Sequence, residues 1–188
     1  MKRFVLFFAL LASVTICKAQ MSGTYTVGTS GNYSSLTNAY NALVSAGING
    51  PITLSVTSDL SGQQTLSGSV TGASTTNTIT ITSSTGNASS YTIGVNSNYA
   101  LRLSDGVSNV IVKDITIGVA TYSSQQRGVD IVPSTIPHTN IEFRNCIINS
   151  TESTTSSNYY AVYYGGNTSS YLNNIRFIKN IINSACSL

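Results

Sequence analysis

The chain has 188 residues, enough for one domain with a real core, and only 8% of them are charged. Low charge combined with abundant Val and Ile excludes a disordered chain. The formal net charge is +3 and Lys2, Arg3 and Lys18 at the N-terminus account for all of it, so capture of nucleic acid or an anionic membrane is not expected.

Residues 1–19 read as a secretory signal peptide. Lys2 and Arg3 form its positive end, and the apolar run 4–16 is too short to span a bilayer stably. Cys17-Lys18-Ala19 places small residues for cleavage before Gln20. An uncleaved anchor and a lipoprotein attached at Cys17 are the alternatives, although Ile16 stands where a lipoprotein signal needs a small residue. Later in the chain no apolar run is long enough for a membrane span. The expected location is secreted or at the outer cell surface.

Residues 20–49 hold a short strand at 24–27, a turn-rich connection at 28–33 and a helix at 36–46. Ser34 or Ser35 supplies the N-cap, Leu36, Ala39, Tyr40 and Leu43 fall at helical spacing, and Gly47 ends the helix. It is read as an ordinary surface helix or as a cap over the first layer of a stacked core.

Residues 50–188 are strand-like throughout. Gly50-Pro51 opens an alternating run at 52–56, and strands then come in sets: 77–82 with 91–95, 100–103 with 110–117, 128–132 with 141–148, and 161–164 with 175–182. Asn77-Thr-Ile-Thr-Ile81, Asn109-Val-Ile-Val-Lys113, Asn140-Ile-Glu-Phe-Arg144 and Asn174-Ile-Arg-Phe-Ile178 recur at intervals of 32, 31 and 34 residues. Such a period with two or three short strands means one unit stacked on copies of itself. A propeller blade needs more strands, and a β-sandwich has no reason to repeat Asn-Ile-x-Phe at equal spacing. The expected fold is all-β: a right-handed parallel β-helix with an N-terminal capping helix. Ile141 should then stack on Ile175, Phe143 on Phe177, Ile147 on Ile181 and Asn149 on Asn183, the Asn amides passing hydrogen bonds up a ladder.

The segments 140–149 (NIEFRNCIIN) and 174–183 (NIRFIKNIIN) resemble coils of pectin-lyase-like parallel β-helix proteins. Gly23-Thr-Tyr-Thr-Val-Gly28, the helix start at 33–40 and Gly50-Pro-Ile-Thr-Leu54 look like the first coil of large bacterial cell-surface proteins of that class. The resemblance covers about residues 22–183. It implies a long coil stack and a separate C-terminal sorting domain, whereas this sequence stops just past a strand pair. The expectation is therefore a fragment of a longer protein, the alternative being a short protein that pairs end to end through its uncapped coil.

The resemblance also implies polysaccharide chemistry: lyases with a basic residue beside bound Ca²⁺, or hydrolases with paired carboxylates. The acidic residues are Asp59, Asp105, Asp114, Asp130, Glu142 and Glu152, with no Asp-x-Asp cluster or calcium repeat among them. If 100–103, 128–131 and 161–164 stack, Arg102, Asp130 and Tyr163 share an outward column, a candidate glycan-contacting strip. The bland alternative is an exposed Arg–Asp pair worth little. Tyrosine supports the sharper reading, with 11 Tyr and no Trp, and Tyr159, Tyr160, Tyr163 and Tyr164 clustered in one coil. Alternation turns Tyr163 outward and Tyr164 inward. His138 beside Pro137 reads as a turn residue, and neither a metal nor another cofactor is expected. Cys146 reads as a small buried strand residue, with a bridge to Cys186 left open. The expected function is an exported non-catalytic scaffold for adhesion or glycan contact. The alternative is a polysaccharide lyase or glycoside hydrolase whose catalytic coils are missing or unrecognised. Two or more outward carboxylates on adjacent coils would favour the enzyme.

Overall fold

The computed structural model describes residues 19–95, 98–118, 126–150, 159–165 and 171–183. Almost all of the expected signal peptide, Glu152 and Cys186 lie outside these residues. In chain order β1 (Met21–Val27) precedes the helix α1 (Leu36–Ala46). A first coil follows, made of β2 (Ile48–Val56), β3 (Leu60–Ser61) and β4 (Gln64–Ser67), then a second of β5 (Ile79–Ser83), β6 (Thr92–Val95) and β7 (Tyr99–Ser104). The third is β8 (Ser108–Lys113), β9 (Thr116–Ile117) and β10 (Gln126–Ile131), and the fourth is β11 (His138–Arg144), β12 (Ile147–Asn149) and β13 (Tyr159–Tyr164). β14 (Leu172–Ile178) and β15 (Ile181–Asn183) begin a fifth.

The first strands of the coils, with β1 outside them, form a six-stranded sheet A. The second strands form a five-stranded sheet B and the third strands a four-stranded sheet C. Every pairing is parallel, and each strand pairs with its counterpart one coil away. The protein is a parallel β-solenoid of about five turns.

Inward columns on all three sheets make the core because equal registers put like over like, with Leu66, Leu103 and Ile131 in line on sheet C. Ile52, Ile79, Val110, Ile141 and Ile175 are in line on sheet A, as are Leu54, Ile81, Val112, Phe143 and Phe177. Leu60, Ile93, Ile117, Ile148 and Ile182 line sheet B. The Phe143 and Phe177 rings stack with centroids 4.9 Å apart and planes within 7°. The four stacks expected from the repeat all form.

The helix occupies the residues expected of it. Ser35 Oγ accepts from the Asn38 amide, and Gly47 at φ 74° donates to the Leu43 carbonyl, a left-handed position where a Cβ would be strained. Its buried face is Leu36, Ala39, Tyr40 and Leu43. β4 is the edge of sheet C, paired only with β7, and α1 lies against its open side. The Thr37 hydroxyl accepts from the Thr65 amide at 2.8 Å, and Tyr40 donates to the Gly68 carbonyl at 2.9 Å. Gln64 stands in the column that Leu101 and Val129 fill above it. Its Oε1 caps the Leu36 amide and its Nε2 donates to the Ser61 and Gly62 carbonyls, so a buried amide is fully used. The helix therefore closes the lower edge of sheet C, the cap reading of the two.

Several expectations are corrected. The runs 110–117, 141–148 and 175–182 are each two strands, because Asp114, Asn145 and Lys179 take left-handed φ of 51–53° and turn the chain from sheet A to sheet B. Cys146 lies in that turn rather than in a strand, buried with its thiol 3.4 Å from the Val112 carbonyl, and burial pushes its pKa up to about 11. Asn77 is not the counterpart of Asn109: pairing Ile79 with Val110 puts Thr78 there instead, since Ile79 and Ile81 must both face inward. β3 and β4 are too short and polar to show periodicity. His138 is not in a turn but opens β11, buried with its Nε2 3.0 Å from the Val132 carbonyl.

The core columns generate a graded expectation. Phe143 is fully buried and Phe177 is 40% exposed. Phe143→Ala should cost about 3–5 kcal/mol in urea denaturation and Phe177→Ala less than half of that. Equal costs would mean that the stack does not carry the core.

Candidate functional site

Sheet C presents the densest group of chemically capable side chains. Register places Thr65, Arg102, Asp130 and Tyr163 in one outward column, so the three expected residues do come together. They are not equally available. Arg102 and Tyr163 are half-buried, but Asp130 is 1% exposed, which corrects the picture of an open acidic group.

Two residues that the repeat does not reveal explain the burial. Arg127 pairs with Tyr99 on one side and Tyr160 on the other, three positions before Asp130 on the same strand. Its Nη1 donates to Asp130 Oδ1 at 2.7 Å, while Arg102 Nε lies 3.3 Å from Oδ2 as an ion pair without hydrogen-bond geometry. The Arg127 guanidinium carbon sits 3.5 Å above the Tyr163 ring centroid and 5.3 Å from that of Tyr99, with Arg102 5.0 Å from the latter. Tyr160 and Tyr163 are tilted neighbours at 5.0 Å. Tyr164 is in line with Ile131 and Leu103 as the alternation requires, but it is exposed rather than buried. The result is a fixed surface of two tyrosine faces and two guanidiniums, organised from beneath by one carboxylate. Sequence spacing carries no signal for Arg127, because three residues along a strand points it to the opposite face in an ideal pleat.

The other buried carboxylate, Glu142 on sheet A, is treated alike: Arg144 donates to its Oε1 and Arg176 to its Oε2. The remaining described carboxylates are scattered over separate turns. Asp59 accepts from the Thr92 amide, Asp114 from Asn145, and Asp105 from the Ser67 hydroxyl at 2.6 Å. Hydrogen bonds from Ser67 and then Ser104 hold the Asp105 carboxyl below the usual range. Among the described residues, no group of three His, Cys, Asp or Glu side chains could hold a metal ion, and no helix is long and apolar enough to cross a membrane.

Comparison with family models, curated proteins and solved structures found no match for this chain.

Two measurements check these interactions. Asp130→Asn leaves two guanidiniums facing each other over a neutral amide and should cost about 2 kcal/mol in chemical denaturation, the partial exposure of both arginines moderating the loss. In a carboxyl-carbon NMR titration, Asp105 should titrate below the ordinary aspartate range and move up in Ser67→Ala. Because its folded pKa is the lower one, its contribution to stability is present above the unfolded pKa and fades as pH falls through the folded value.

Proposed function

We propose that this chain is an exported, non-catalytic scaffold of the right-handed pectin-lyase-like type, belonging to a bacterial cell-surface protein, and that its sheet C face contacts a glycan. The observation that carries the reading is the Tyr99–Arg102–Arg127–Tyr163 surface tied by ion pairs and ring contacts around buried Asp130. The tyrosine faces turned away from the guanidiniums can stack on the apolar side of a sugar ring, and guanidinium edges donate to its hydroxyls. Preorganisation lowers the ordering cost on binding, which suits a weak, repeated contact. Arg102, Asp130 and Tyr163 remain the proposed contact group, with Asp130 acting through the two arginines rather than on the ligand.

Non-catalytic use is supported by how the carboxylates are spent. Glycoside hydrolysis places two carboxyl groups within roughly 5–10 Å across the scissile bond. Asp130 and Glu142 sit on different sheets, and each is committed to two arginines. Export rests on the leader at residues 1–19.

The test is affinity electrophoresis of the protein in gels containing neutral and acidic plant and bacterial polysaccharides, with reducing-end release measured in parallel. At least one polysaccharide should retard the protein without being cleaved, and Tyr163→Ala should weaken that retardation about tenfold, the scale of one lost aromatic contact. Steady release of reducing ends or unsaturated product would overturn the non-catalytic reading. Absence of retardation across the panel would overturn the glycan reading.

A further inference from the structure

A second feature lies on sheet A. Thr78, Asn109, Asn140 and Asn174 occupy one column, each just before the first inward residue of its strand. The three Asn residues adopt left-handed φ of 54–57°, which lifts their amides out of the pleat. Asn140 Nδ2 donates to Asn109 Oδ1 at 3.1 Å, and Asn174 Nδ2 donates to Asn140 Oδ1 at 2.9 Å. Two residues further along, Ile111, Glu142 and Arg176 form a parallel outward column. Between the columns runs a groove of about 170 Å³, lined also by Thr75 and Thr78.

The groove follows the solenoid axis and crosses the strands. Four successive coils at about 4.8 Å each make it roughly 14 Å long. One wall is the Asn109–Asn140–Asn174 amide ladder with Thr78 below it, and the other carries half-buried Ile111 at one end and, beyond Glu142, Arg176, whose side chain is 58% exposed. The chemistry narrows the occupant. A metal cation finds no free carboxylate, since both Glu142 oxygens are taken by guanidiniums. An extended peptide repeats its backbone groups about every 6.7 Å, out of step with amides at about 4.8 Å. A chain bearing hydroxyls on every side, with apolar ring faces for Ile111, has no such mismatch.

We infer that the groove between the Asn109–Asn140–Asn174 ladder and the Ile111–Glu142–Arg176 column binds a short, neutral linear saccharide lying along the solenoid axis. This site is on a different sheet from the Arg102–Tyr163 surface and stands or falls independently of it. The hydroxyls meet the outer edges of the ladder amides and the Arg176 guanidinium, and one ring packs on Ile111.

The experiment is an NMR titration of the isotope-labelled chain with cellotetraose, mannotetraose and chitotetraose. With at least one of them, the side-chain amide signals of Asn109, Asn140 and Asn174 should shift and saturate, while the Asn149 and Asn183 amides, which bond to each other on sheet B, stay still. Ile111→Arg fills the groove and should weaken binding by about tenfold or more. Arg176→Ala, at an exposed side chain, provides a second variant should the first disturb the backbone spectrum. Shifts around Tyr163 are read separately, so failure of the sheet C surface is distinguishable from failure of this groove. The inference is overturned if none of the three tetrasaccharides moves the ladder amides, if both variants bind as the wild type does, or if a Gly-Ser octapeptide moves the same signals more strongly.

Discussion

Parallel stacking in a constant register is the constraint on which everything else in this molecule depends. Each coil is too thin to own a core, so an inward residue is buried by the residues above and below it. This explains why the columns are so uniform, Ile or Val at one sheet A position and Leu, Ile, Val, Phe and Phe in turn at the next. It also explains why inward polar side chains find partners among neighbouring coils: buried Gln64 uses its whole amide, and the half-buried Asn180 side chain accepts from Cys146 N and donates to the Phe143 carbonyl. The same rule operates on the outside. Glu142 lies between Ile111 and Arg176, and Asp130 between Arg102 and Tyr163, so an outward charge meets its partner in the next coil or on its own strand.

What the sequence discloses follows from this geometry. Where the turn from sheet A to sheet B is two residues in three successive coils, the phrase Asn-x-x-x recurs at a nearly fixed interval and the stacked pairs can be read directly. The helix was legible too, because capping by Ser35 and Gly47 and the spacing of Leu36, Tyr40 and Leu43 are local. The left-handed turns at Asp114, Asn145 and Lys179 leave alternation intact on both sides, so two strands look like one. β3 has two residues and β4 begins with Gln64, too little pattern to count.

The candidate surface was half legible. Stacking of Ala100-Leu-Arg-Leu103 on Gly128-Val-Asp-Ile131 and Ala161-Val-Tyr-Tyr164 follows from matched alternation, which brings Arg102, Asp130 and Tyr163 into line. The burial of Asp130 does not follow, since it depends on Arg127 folding back across its own strand and on Tyr99 and Tyr163 closing around it. Side-chain reach of that kind has no sequence period. The groove on sheet A was equally hidden: the Asn residues announce a ladder, but the space beside it exists only because the left-handed backbone displaces them from the pleat.

The short turn after sheet A has a consequence for how such a chain can vary. Asp114-Ile115, Asn145-Cys146 and Lys179-Asn180 are the same length in the last three coils, whereas the interval between inward sheet A residues still grows from 27 residues to 34. Length is therefore absorbed at the other corners, between sheets A and B at residues 84–91 in the second coil and otherwise between B and C and between C and A, while every pairing stays parallel. Insertions at those corners alter the outline of the molecule and leave its spine untouched. Changes confined to the corners would trade one surface for another while the Asn-anchored strands keep their register.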